Sequence, residues 1–79
     1  IKVELEFDKA TAAWVKDRVW HDTQKTTRIN GGGLRMTLFL ADTRELVGWV
    51  LSFGSGVKVR KPDDLAARVE AQRIVAQSE

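Results

Sequence analysis

The sequence predicts an α+β fold: a four-stranded antiparallel sheet, two helices on one of its faces and a third helix at the C-terminal end. Three observations predict it. Ile1, Val3, Leu5 and Phe7 alternate with Lys2, Glu4 and Glu6. Leu34, Met36, Leu38 and Leu40 alternate with Arg35, Thr37 and Phe39 in the same way, the period of half-buried strands. Asn30-Gly31-Gly32-Gly33 precedes the second of these runs, a hairpin signal because such residues accept positive φ at little cost.

The elements follow in order. After the strand 1–7, Asp8 takes the N-cap position of an alanine-rich helix. Ala12, Val15 and Val19 recur there at i, i+3 and i+7 as one apolar stripe, and the polar stretch from His21 to Gln24 ends it. Lys25 to Ile29, rich in threonine, reads as a short second strand, and the turn joins it to the third. Asp42 and Glu45 have the spacing of a capping box for a second helix. On that helix Leu46, Trp49, Val50 and Phe53 form the apolar face, opposite Glu45, Gly48 and Ser52, and Gly54 is the stop. Val57 to Arg60 is the fourth strand, closed by Pro62, and Asp63 or Asp64 caps a last helix running to about Ala76. The order βαββαβ plus a helix, with one hairpin and two crossovers, is the ferredoxin-like arrangement. Right-handed crossovers place both inner helices on one face.

Composition narrows the classes of function. Seventy-nine residues form one small domain, 1–79, without repeats or linkers. There is no cysteine to form a disulfide or a thiolate zinc site, which fits a reducing cytoplasm. No apolar run approaches the roughly 20 residues that span a bilayer, and no signal peptide is recognisable. The net charge of +2 comes from mixed signs along the chain, so composition predicts no polyanion partner. The chain begins without Met, directly in a strand pattern, and reads as a piece of a longer protein.

No catalytic constellation emerges. The single histidine has no nucleophile motif around it and no cysteine to share a metal, and strands flank the glycine turn on both sides, unlike a phosphate cradle. The chain therefore reads as a non-enzyme with no cofactor. Binding candidates remain. Trp14 lies about 100° from the stripe its helix buries, which makes it an interface candidate. On the last helix Leu65, Val69 and Ala76 group on one side; Ala67, Ala71, Ile74 and Val75 group on nearly the opposite one. The second stripe suits a partner, the alternative being a pattern inflated by alanine. Trp20, His21 and Gln24 either meet an effector or a neighbouring domain, or close the core and satisfy the turn. Trp49 and Phe53 read as core. On the open sheet face Phe39 with Arg28, Arg35, Lys58 and Arg60 could touch single-stranded nucleic acid. A stacking platform needs aromatics on both central strands, however, and Glu4 and Glu6 stand beside them.

Three stretches carry a family resemblance: Arg18-Val19-Trp20-His21 with Gln24, Glu45-Leu46 through Trp49-Val50-Leu51-Ser52-Phe53-Gly54, and Val57-x-Val59 with Pro62 and Leu65. In this order and spacing the chain resembles the C-terminal extension (WCX) domain of bacterial WYL-domain transcriptional regulators. Its Asn-Gly-Gly-Gly turn departs from the Asp-Gly type more usual there. The resemblance implies a cytoplasmic parent with an N-terminal winged helix-turn-helix that binds DNA, a WYL domain, and this domain last. It further implies an effector-controlled regulator, in several relatives linked to DNA damage and single-stranded DNA. The extension would then contribute to homodimerisation and to coupling with the WYL domain.

Overall fold

The computed structural model describes residues 1–41 and 43–78, with side chains to residue 75. Strand β1 (Lys2–Phe7) leads through Asp8 into helix α1 (Lys9–Val15), where the Asp8 carboxylate accepts a 2.8 Å hydrogen bond from the Thr11 amide as the expected N-cap. Strands β2 (Lys25–Arg28) and β3 (Leu34–Phe39) form the hairpin. Gly31 and Gly32 at its tip have φ of 89° and 88°. Helix α2 (Arg44–Leu51), a 3₁₀ turn (Gly54–Gly56), strand β4 (Val57–Lys61) and helix α3 (Asp63–Ser78) complete the chain. The sheet order is β2-β3-β1-β4, and every pairing is antiparallel.

Alternation fills the core as the sequence predicts. Val3, Leu5 and Phe7 from β1 and Leu34, Met36 and Leu38 from β3 are all buried on one face of the sheet. Ala12 and Val15 of α1, Leu46 and Val50 of α2, and Leu65 and Val69 of α3 join them in a single cluster. Helix α3 packs against β4 and α2. All four residues of the edge strand β2 are exposed.

Local departures have local causes. Helix α1 ends at Val15, well before His21, and Val19 is 82% exposed instead of extending the stripe. Beyond Val15 the chain turns, and Gln24 supplies hydrogen-bond partners to the backbone of Arg18, Trp20 and His21. Helix α2 is capped by Thr43, in an extended conformation and without a side-chain capping bond; Asp42, expected in that role, lies outside the described residues. Phe53 falls beyond the end of α2, yet it is buried, and Gly54 has the positive φ of a stop at 71°. Strand β2 closes one residue earlier than expected, at Arg28, and β4 one later, at Lys61. Ala76 belongs to α3, but its side chain lies outside the described set.

Candidate functional site

The loop between α1 and β2 is built around one side chain. The Gln24 carboxamide oxygen accepts from the backbone N–H groups of Trp20, at 2.6 Å, and His21, at 3.3 Å; its nitrogen donates to the Arg18 carbonyl at 2.9 Å. These bonds satisfy the backbone groups of the turn. Thr23 makes the second anchor. Its hydroxyl donates to the Phe39 carbonyl and accepts from the Phe39 N–H, at 3.2 and 2.9 Å, and so ties the loop to the end of β3. His21 Nδ1 lies 2.8 Å from the Thr23 hydroxyl and 3.1 Å from the Asp22 carboxylate.

This frame delivers Trp20 into an aromatic corner. Phe53 is its hub: buried, with ring centroids 5.1 Å from Phe7, 5.2 Å from Trp20, 5.3 Å from Trp49 and 5.6 Å from Trp14. Most pairs are edge-on, the geometry that ring quadrupoles favour. Trp14 stacks on Phe53 at an interplanar angle of 28° and remains 45% exposed, so the interface candidate on α1 is the outer layer of this cluster. Trp49, read from sequence as core, is only partly buried. Beside the cluster Trp20, His21 and Trp49 line an open cleft of about 340 Å³ with Leu40, Ala41, Thr43, Glu45 and Leu46. Sequence reading set Glu45 on the face of α2 opposite Trp49 and passed over Thr43; the structure brings both beside Trp49. The i, i+4 spacing of Glu45 and Trp49 was the signal available, since it sets both on one side of α2.

A second feature is the outer side of α3. Leu65 and Val69 are buried, whereas Ala67 and Ala71 are exposed, with Ile74 at 65% and Val75 at 54%. The helix thus keeps one apolar stripe in the core and presents another to solvent.

The open face of the sheet is arranged differently from a polyanion platform. Arg35 reaches Glu6 at 3.0 Å and Glu4 at 3.7 Å, and Arg60 reaches Glu6 at 3.3 Å. The Arg35 hydrogen bond, with the charges of Arg60 and Arg35 behind it, holds the Glu6 carboxyl below its ordinary value. The Asp8 carboxyl is lowered as well, by the Thr11 backbone N–H it caps. Lys58 is exposed, and its partner across the ladder is Glu6. Phe39 is 55% exposed at the far end of β3. Arg28 does not join this set: its register partner is Leu34, whose side chain is buried on the helix-covered face, and Arg28 lines a hollow with Lys9 and Lys16 there. Among the described residues no group of side chains has the composition of a metal site, and no helix is long and apolar enough to cross a membrane.

A family model of the WCX domain matches residues 1–75. The chain belongs to the WCX family. No curated protein sequence matches it. WCX is a family of regulatory domains and not a known enzyme family, so the features of this WCX chain are read as surfaces for binding. The stretches that carried the resemblance have clear physical duties in the WCX structure: Trp20 and Gln24 build the loop, Trp49 and Phe53 the corner, and Val57 and Leu65 the core.

Proposed function

We propose that this WCX chain is the coupling and pairing module of an effector-responsive bacterial transcription factor of the WYL type, acting in the cytoplasm as the last domain of a longer chain. In this reading the parent binds DNA through its winged helix-turn-helix, and the effector is a signal such as single-stranded DNA arising from damage. The strand order β2-β3-β1-β4 with crossovers through α1 and α2 supports a ferredoxin-like description of the module.

One observation carries the proposal: the second apolar stripe of α3, with Ile74 and Val75 more than half exposed while Leu65 and Val69 already fill the core. Water-exposed Ile and Val gain about 25 cal/mol for each Å² of apolar area they bury against a partner. A stable homodimer needs on the order of 1,200 Å² buried in all, so Trp14 and neighbouring residues must add to the stripe. Sedimentation velocity over a concentration series tests this. The expected result is a dimer that Ile74→Asp with Val75→Asp converts to a monomer with an unchanged far-UV spectrum. A dimer that persists in the double variant overturns the assignment. A monomeric parent sequence transfers the stripe to a contact with the WYL domain.

A further inference from the structure

The cleft at the aromatic corner holds a charge that neither the core nor the loop uses. Glu45 stands in the first turn of α2, exposed, one helical turn before Trp49, and among the described residues it forms no ion pair. Among the described residues no lysine or arginine lines the cleft. Thr43 at the N-cap leaves its hydroxyl out of any capping bond. The remaining walls are apolar, led by Leu40, Leu46 and the indoles of Trp20 and Trp49, whose centroids are 6.5 Å apart.

A carboxylate beside indole rings selects for positive charge, because the ring faces are the negative ends of their quadrupoles. Trp20 already carries one guanidinium, with Arg18 Cζ 5.8 Å from its ring centroid. We infer that the cleft is a binding site for an organic cation, a guanidinium or ammonium group on a short apolar stem. The stem would lie against Leu40 and Leu46, and the charge would sit between Glu45 and the indoles. An exposed carboxylate alone attracts a cation by no more than about 1 kcal/mol in water. The positive end of α2 offsets part of even that. Selectivity therefore rests on the aromatic walls acting with Glu45. The volume of about 340 Å³ is at the small end of ligand cavities, which suits a group of this size. Gln24 holds the backbone of Trp20 and His21 in place, so binding orders little that is not ordered already.

This inference is independent of the α3 stripe and has a separate test. The ¹⁵N-labelled chain is titrated with benzylguanidinium and with benzylurea, its neutral counterpart, while the three indole N–H resonances are followed. Saturable shifts are expected at Trp20 and Trp49, and smaller ones at Trp14, which does not line the cleft. Benzylurea should bind about fivefold or more weakly, and Glu45→Gln should weaken benzylguanidinium about two- to fivefold. The melting temperature of the variant should fall by no more than a few degrees, since Glu45 is exposed and loses only its interaction with the positive end of α2. A parallel titration with acetyl-Leu-Arg-Leu-amide separates the sources: tighter peptide binding assigns the site to an arginine of a neighbouring domain, tighter binding of the small cation to a free ligand. No saturable shift, equal affinity for urea and guanidinium, or an unaffected Glu45→Gln variant overturns the inference.

Discussion

At Gly56 a missing side chain does as much as any that is present. A Cβ built there would overlap the Thr11 hydroxyl and stand 2.9 Å from Thr11 Cβ and 3.0 Å from the capping carboxylate of Asp8. Rotating Thr11 relieves only the first of these, and Thr11 is buried. The backbone also cannot drift, because the Gly56 carbonyl accepts from the Asp8 N–H at 2.9 Å. Gly56→Ala should therefore destabilise the domain by about 1–3 kcal/mol, the usual range for overpacking. Chemical denaturation checks this, and Thr11→Ala in the same chain should recover part of the loss by removing the nearest atom. A similar approach holds at Gly33, whose Cβ would come 2.7 Å from the Phe7 carbonyl. At this scale sequence was informative about residue type and silent about reason. Gly33 was legible as part of a turn and Gly56 drew no reading, and the close contacts of both join positions far apart in the chain.

Among the elements, strands were more legible than helix ends. Strict alternation specifies which face of β1 and β3 is buried, and shifting it by one residue would expose the whole core set. Helix α1 was overestimated because the spacing of Val15 and Val19 mimics a continuing stripe. Gln24, eight positions beyond Lys16, holds the chain that follows the helix in its turn, and periodicity carries no information about such a bond. The loop makes a sharp prediction. Gln24→Ala removes three hydrogen bonds that satisfy Arg18, Trp20 and His21 backbone groups. Each contributes about 0.5–1.5 kcal/mol, and partial hydration in the variant recovers some of it, so a loss of about 1–2 kcal/mol is expected. Amide hydrogen exchange should accelerate at Trp20 and His21 and remain slow in β1. Equal acceleration in β1 would show that the loop is not an independent unit. The cleft was half legible: Trp20 and His21 stood out, whereas Glu45 and Thr43 needed the packing of α2 against the loop to be seen beside them.

For the whole molecule, two carboxyls tie stability to pH. Glu6 and Asp8 both have folded-state values below their ordinary ones, Glu6 through Arg35 and Asp8 through the Thr11 N–H. A lowered folded value means the unfolded chain binds protons more readily. The contribution is then complete above the ordinary carboxylate range of about 4 and is lost as pH falls through the depressed values. The melting temperature should fall between about pH 5 and pH 3, and Glu6→Gln should flatten that fall while lowering the plateau near neutrality. A variant as acid-sensitive as the parent would remove Glu6 from this account. The same ion pairs bear on the nucleic-acid alternative, since Arg35 and Arg60 would have to leave Glu6 before meeting a phosphate.

The exposed edge strand β2 has a consequence for how copies of this chain can assemble. Lys-Thr-Thr-Arg presents free backbone along one side. The strand is only four residues long and carries Lys25 at one end and Arg28 at the other, on opposite faces, so an added strand would lie beside a positive charge on either face. Short edge strands that carry such charges oppose pairing of that kind. Sheet extension, which can recruit molecule after molecule into an open fibre, is therefore discouraged at this edge. The proposed association through the outer apolar side of α3, if twofold, would instead close on itself after two copies and leave nothing further to propagate.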